Sequence, residues 1–158
     1  MSVAIVAGVG DAATGRLLFD VNVLIALFDP SHMDHVRARV WAQGKSPLRW
    51  ASCPMTQNGF VRICAQPAYR APVTMGVAIE RITEAINTTD HVLWPDDVSL
   101  LDPTVFRHRH LVGHRQIADA YLLALAIKNG GQLATFDRNV PIGAVVGATE
   151  AHVARPGE

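Results

Sequence analysis

The chain has 158 residues, of which 49% are hydrophobic, so it is long enough to bury one core and too short to divide comfortably into two. Its 14 basic and 14 acidic side chains cancel, which excludes capture of a partner by a strong overall charge and leaves only a local patch for nucleic acid. The apolar start is too short for a membrane span and lacks a basic leader. We therefore expect one cytoplasmic domain that does not bind a membrane.

Residues 1–15 are rich in Gly and Ala and predict a flexible N-terminal arm. Within them, GVGDAA (8–13) has the spacing of a dinucleotide-binding turn, but the strand-like residues after Gly15 leave no room for the helix that such a turn requires. GDAATGRL (10–17) imitates a phosphate-binding loop, yet Arg16 and Leu17 replace the required lysine and hydroxyl. Neither pattern predicts a nucleotide site.

Alternating strand and helix patterns occupy residues 16–150, which we interpret as the main domain, followed by a C-terminal tail at 151–158. Short apolar runs predict strands in RLLFDVNV (16–23), LRWAS (48–52), HVLW (91–94), QLATFD (132–137) and VVGAT (145–149). Helical patterns lie between them, in VLIALFD (23–29), HVRARVWAQG (35–44), PMTQNGFVRICAQP (54–67), VAIERITEAIN (77–87) and QIADAYLLALAIKNGG (116–131). The alternation predicts an α/β fold with a largely parallel central sheet.

Three aspartates stand where such a fold gathers its ligands. Asp20 and Asp137 each end a predicted strand, and the carboxyl ends of parallel strands border the crevice in which ligands bind. Asp119 lies in the first turn of its predicted helix, where the helix dipole favours a negative charge. Clustered carboxylates repel unless a cation compensates them, and hard oxygen ligands suit Mg²⁺ or Mn²⁺. Such an ion can activate water and stabilise the charge that builds up during phosphodiester cleavage.

Each aspartate also has a structural explanation, because Asp is common in helix caps, in first helical turns and in surface turns. The chain order of the surrounding segments favours the functional interpretation. LLFDVNVLIALFDPSHMDH (17–35), WASCPMTQNGFVRI (50–63) and HRQIADAYLLALAIKNGGQLATFDR (114–138) together resemble the PIN-domain family, in particular its VapC-type ribonuclease toxins.

The resemblance implies a three-layer α/β/α sandwich that acts as a metal-dependent endoribonuclease, the toxin of a type II toxin–antitoxin module. It also implies a homodimer and a small VapB-type antitoxin that occupies the active site. By position, it assigns Asp20, Asp119 and Asp137 as catalytic residues and as ligands of Mg²⁺ or Mn²⁺. Asn22 and Thr135 match polar positions beside these acids and would orient a ligand or water, although Asn22 alternatively caps the following helix.

One position departs from the family pattern, which commonly has Glu where this chain has Gln57. The resemblance still places Gln57 at the catalytic site, but an amide carries no negative charge and cannot act as a base. Three aspartates suffice for one ion, or this copy is weakened, or the glutamine is an engineered change, and these alternatives remain open. A PIN fold that binds RNA or a protein partner without cutting is therefore the alternative function.

A phosphatase of the haloacid-dehalogenase type is a less favoured alternative, since such enzymes also use a strand-end aspartate, as a nucleophile. That family requires a second aspartate two positions on, where this chain has Asn22.

The segment RHRHLVGHR (107–115) is the densest run of Arg and His in the chain, and it directly precedes the helix of Asp119. We predict that Arg107, Arg109 and Arg115 bind RNA phosphates, because permanently charged guanidinium groups grip phosphate oxygens. A solvated loop or a dimer contact is the alternative interpretation of this segment.

Overall fold

The computed structural model describes residues 15–158, which form a five-stranded sheet flanked by helices. The strands in chain order are β1 (Leu17–Phe19), β2 (Arg49–Ser52), β3 (Asp90–Leu93), β4 (Gln132–Ala134) and β5 (Val153–Ala154). They pair in the order β3-β2-β1-β4-β5, and every pair is parallel. The central strand β1 is buried along its whole length, as expected for a parallel strand that is covered on both faces.

Helices cover both faces of this sheet. They are α1 (Val21–Phe28), α2 (His35–Gln43), α3 (Pro54–Ala65), α4 (Met75–Thr88) and α5 (Ile117–Lys128). Alternate residues of a strand point to opposite faces, so Leu17 and Phe19 pack with α1 to α4, whereas Leu18 packs with α5. The result is the predicted three-layer α/β/α sandwich. No helix within residues 15–158 is both long and apolar enough to cross a membrane.

Two glycines end α5 and admit the chain to β4. Gly130 has a φ of 68°, the left-handed conformation that commonly follows a helix. A Cβ on Gly131 would lie 2.4 Å from the carbonyl oxygen of Arg16 and 2.7 Å from the ring of Trp94. The Asn-Gly-Gly sequence therefore both stops the helix and lets the chain lie close against the start of β1.

The prediction of a strand at VVGAT (145–149) is wrong. Val145 forms only an isolated antiparallel bridge with Phe106, and Gly147 turns the chain with a φ of 79°. The run is apolar because Val145 is buried in the core, with 1% of its surface exposed, and not because it pairs in the sheet. The last strand is β5, within the residues assigned to a C-terminal tail. The predicted N-terminal arm, except for Gly15, lies outside the described residues.

The direction in which the chain crosses the sheet reverses between β1 and β4. From β1 the chain proceeds to β2 and β3 on one side, whereas β4 is followed by β5 on the other side. Loops that follow two such neighbouring strands part and leave a crevice at their carboxyl ends, where open parallel sheets bind ligands. We therefore expect the predicted site at this crevice.

Candidate active site

Asp20 joins the ends of the two strands that border the crevice. It follows β1 directly and caps α1, since its Oδ1 accepts a hydrogen bond from the Val21 N–H at 2.7 Å. Its own N–H donates to the carbonyl oxygen of Ala134 in β4 at 2.9 Å. The structural explanation of Asp20 as a helix cap is therefore correct. Its capping position also leaves the carboxylate at the crevice between β1 and β4.

Thr135, the residue after β4, forms hydrogen bonds with Asp20, Asn22 and Asp137. It is fully buried, and its Oγ1 donates to Asp20 Oδ2 at 2.8 Å. The same oxygen accepts from Asn22 Nδ2 at 3.3 Å and from the Asp137 N–H at 3.1 Å. Asn22 also accepts from the Phe136 N–H at 3.3 Å, so its side chain ties α1 to the end of β4.

Asp119 approaches this group from the other helical layer. It lies in the first turn of α5 and is only 8% exposed, although most buried residues of that helix are apolar. Its burial, together with the negative charges of Asp20 and Asp137, raises the pKa of Asp119 to about 7. The structure thus brings the three predicted aspartates close enough to affect one another's ionisation.

Burial also raises the pKa of Asp20, with a smaller contribution from Asp137, while the hydrogen bonds from Thr135 and Val21 oppose that rise. No Lys or Arg within residues 15–158 forms an ion pair with Asp20, Asp119 or Asp137. The group is therefore a cluster of acids whose repulsion is not balanced by a basic side chain. A cation would remove that repulsion and favour the ionised form of each carboxylate.

The chemistry of these donors fits a divalent metal, since all three side chains offer hard oxygen atoms. The spacing is less complete, because no three His, Cys, Asp or Glu side chains of the described residues are arranged as ligands of one ion. One oxygen of Asp137 accepts from the Asn139 N–H at 2.7 Å, in the surface turn that its position also predicted.

Gln57 lies in the first part of α3, outside the hydrogen-bonded group around Thr135. Its Nε2 donates to Ser52 Oγ at 3.0 Å, at the end of β2. Gly59, two positions on, allows α3 to approach α1, because a Cβ there would lie 2.6 Å from Val21 Cγ2. Helix α3 is thus held close, at Gly59, to the residue that follows Asp20.

The three arginines predicted to bind RNA differ in their surroundings. Arg107 donates from Nη1 to the carbonyl oxygens of Gly143 and Val145, at 3.1 and 3.5 Å, so it holds a loop in place. Arg109 and Arg115 are exposed, in or beside two short 3₁₀ turns that precede α5. The structure places none of the three in the carboxylate group.

A second buried carboxylate was not singled out by the sequence. Asp29 is 1% exposed, accepts a hydrogen bond from the Tyr69 hydroxyl and pairs with Arg81 at 3.3 Å. It ties the end of α1 to α4 and to the loop between α3 and α4. The only sequence signal was an aspartate at the end of an apolar helix, which is also typical of an ordinary cap.

Comparison with known proteins supports the same region. The family model described as PIN domain matches residues 17–143, a range that contains every candidate site residue. The chain is similar to Ribonuclease VapC44 of Mycobacterium tuberculosis, with 47% identity over 139 residues, which are 88% of this chain and 98% of that protein. It is also similar to Ribonuclease VapC38 of that species, with 42% identity over 125 residues, 78% of this chain and 86% of that protein. Ribonuclease VapC39 is 37% identical over 134 residues, 84% of this chain and 96% of that protein.

Proposed function

The chain belongs to the PIN-domain family and, within it, to the VapC-type ribonucleases, and from this membership we propose that it is an endoribonuclease toxin of a type II toxin–antitoxin module. The observation that carries this activity is the cluster of Asp20, Asp119 and Asp137, whose negative charges no basic side chain balances. The cluster lies where the chain direction reverses, between β1 and β4. Membership in the PIN-domain family argues against the alternative function, a phosphatase of the haloacid-dehalogenase type.

Divalent-metal dependence fits the family, and the proposed ion is Mg²⁺ or Mn²⁺, held by Asp20, Asp119 and Asp137. When bound, such an ion supplies activation of water and stabilisation of the charge on the scissile phosphate. Thr135 orients one oxygen of Asp20 through its hydrogen bond, and Asn22 holds Thr135 from the other side. These two side chains therefore act on the aspartates and not on the RNA.

Gln57 acts in this proposal as a neutral oxygen donor at the edge of the site. An amide oxygen can accept a hydrogen bond from water, but it cannot take up a proton at neutral pH as a carboxylate can. Proton removal from the attacking water then falls to the aspartates. A slower enzyme than a glutamate-containing relative is the expected consequence.

The RNA would approach over the exposed Arg109 and Arg115, which precede the helix that carries Asp119. Arg107 is less suited to this role because backbone carbonyls already occupy its guanidinium group. The partners in the proposal are a VapB-type antitoxin and a second copy of the chain, in the cytoplasm and without membrane contact.

The decisive experiment compares RNA cleavage by the purified wild-type chain and by Asp20→Asn, Asp119→Asn and Asp137→Asn. Each substitution keeps the side-chain size and removes one charge, so we expect each to abolish cleavage in Mg²⁺ or Mn²⁺ while leaving the circular dichroism spectrum unchanged. Asp97→Asn is the matched control, since Asp97 is an exposed aspartate paired with Lys128 at 2.9 Å. Full activity in any two of the three site variants would refute the assignment.

The alternative of a binding module without cleavage is favoured by one observation, namely that Gln57 replaces the carboxylate expected at its position. Calorimetric titration of the wild-type chain with Mn²⁺ discriminates the two functions. Binding that is lost in Asp119→Asn supports the nuclease, whereas RNA binding without any metal binding supports the alternative.

A further inference from the structure

Two polar side chains extend the hydrogen bonding of Gln57. Ser52 lies at the carboxyl end of β2, and His91 lies in the neighbouring edge strand β3. Ser52 is fully buried, and its Oγ lies 3.0 Å from Gln57 Nε2 and 2.7 Å from His91 Nε2. His91 is partly buried, with its ring packed against Trp50. The three side chains form a short hydrogen-bonded chain that runs from the edge strand β3 to Gln57 in α3.

Chemistry fixes the direction of one hydrogen bond in this chain. The amide nitrogen of Gln57 can only donate, so Ser52 Oγ is the acceptor of that bond. The hydroxyl hydrogen of Ser52 is then free to donate to His91 Nε2 when that nitrogen is unprotonated, which is the direction that we propose for the second bond. Burial and the nearby charge of Arg16 lower the pKa of His91 to about 4, so the ring is neutral at pH 7, and in the proposed direction it carries its proton on Nδ1.

The consequence for Gln57 is a fixed orientation of its amide group. Within residues 15–158 the Gln57 side chain makes no other hydrogen bond, so its carbonyl oxygen is the free end. Ser52 is buried, so loss of its hydroxyl would leave the Gln57 amide without this hydrogen bond. We propose that Ser52 and His91 are positioning residues that hold the Gln57 amide with its carbonyl oxygen, and not its nitrogen, available at the active site. Their effect on cleavage rests on the proposed function, whereas their effect on the orientation of Gln57 does not.

The same pair can serve a carboxylate only if every bond reverses. A glutamate at position 57 has no N–H, so the Ser52 hydroxyl would have to donate to it. His91 would then donate from Nε2 to Ser52 Oγ, which requires the other neutral tautomer. The Ser52 hydroxyl can either donate or accept a hydrogen bond, and a neutral His91 has two tautomers. The Ser52–His91 pair therefore accommodates either glutamine or glutamate at position 57 without an unsatisfied buried polar atom.

The tautomer of His91 tests the orientation directly, by NMR of the histidine ring nitrogens at pH 7, with the His91 signals assigned by their loss in His91→Asn. We expect the proton on Nδ1 in the wild-type chain and on Nε2 in Gln57→Glu. In a Ser52→Ala background, the Gln57→Glu substitution should no longer change the tautomer. The same tautomer in wild type and Gln57→Glu would overturn the proposal, whether or not the protein cleaves RNA.

A kinetic cycle tests the effect on catalysis. Ser52→Ala should lower kcat roughly tenfold with little change in KM, because a lost positioning bond acts on the chemical step. In a Gln57→Ala background the same substitution should have almost no further effect, which distinguishes positioning from a general loss of stability. An equal effect of Ser52→Ala in both backgrounds would overturn the proposal. A wild-type chain that cleaves no RNA in Mg²⁺ or Mn²⁺ would instead refute the proposed function, and the tautomer would still decide the orientation.

Discussion

Asp119 lies almost fully buried beside two other carboxylates, and its pKa of about 7 links its charge to the stability of the fold. A helix N-terminus alone would favour the ionised form. Here desolvation and two negative neighbours outweigh the helix dipole. The position of Asp119 in a first helical turn was predictable from the sequence, but this conflict was not, because it depends on residues that are far apart along the chain.

We expect the chain without added divalent metal to lose stability as the pH rises from about 4 to about 7. The pKa of Asp119 is raised from 3.8 to about 7 on folding, so over this window the folded state binds the extra proton and rising pH favours unfolding. One pKa unit corresponds to ~1.4 kcal/mol, and a loss on the order of 1–3 kcal/mol is expected. Urea unfolding in a chelator at pH 5 and pH 8 measures it.

Asp119→Asn is the control for this pH effect and should flatten the pH dependence. Mn²⁺ should stabilise the wild-type chain more at pH 8 than at pH 5, because the ionised carboxylates bind it better. An identical pH dependence in the wild-type chain and Asp119→Asn would contradict the prediction.

Gln57→Glu should strengthen metal binding and raise turnover. The substitution adds a negative charge near the proposed ion, and a charge-assisted contact contributes ~1–3 kcal/mol, which corresponds to roughly tenfold or more in affinity. Titration with Mn²⁺ and cleavage rates measure both effects. Asn58→Asp adds the same charge at the exposed neighbouring position of α3 and should change neither quantity. Unchanged affinity in Gln57→Glu would mean that this side chain does not face the metal.

At the scale of the element, hydrophobic patterns predicted the strands and helices that carry the site. β1 and β4 are short apolar runs followed by a polar residue, and α5 is a long run of strong helix formers that ends at two glycines. The pattern failed at VVGAT because burial in a loop and burial in a strand leave the same apolar signature. The partners of Ser52 were also beyond prediction, since they depend on the register of β2 against β3.

The segment before α5 supplies the prediction about RNA binding. Replacing Arg109 and Arg115 by Ala should weaken binding to all RNAs alike and lower the slope of log affinity against log salt by roughly 0.7 per lost single-strand phosphate contact. The measurement uses an Asp119→Asn background so that the RNA stays intact. Arg39 and Arg70, two exposed arginines elsewhere on the surface, provide the matched control pair. An unchanged slope would place the RNA on another surface.

At the scale of the whole molecule, the neutral net charge leaves recognition to local features. Family resemblance predicted the layered architecture and the order of the acids along the chain. It did not predict the raised pKa values of Asp20 and Asp119, because burial and repulsion among charges are properties of the assembled fold.

Production of the whole chain alone should slow the growth of a bacterial host, and co-production of its cognate antitoxin should restore growth. The physical reason is that an active endoribonuclease destroys RNA until a partner covers its site. Growth curves with an inducible promoter measure the effect, and Asp119→Asn, produced at the same level, is the harmless control. Normal growth with a folded chain that cleaves RNA in vitro would contradict the toxin role.

The central strand β1 is the first strand of the described residues 15–158, and its neighbour β4 comes after β2 and β3 along the chain. Thr135, which holds Asp20, is 115 positions away from it. The ribosome synthesises the chain from its N-terminus, so Asp20 is made long before Asp119 and Asp137. A chain that is still being synthesised therefore lacks part of the proposed active site until Asp137 has been added. A translation product that stops before β4 lacks Thr135 and Asp137, so we expect it not to cleave RNA.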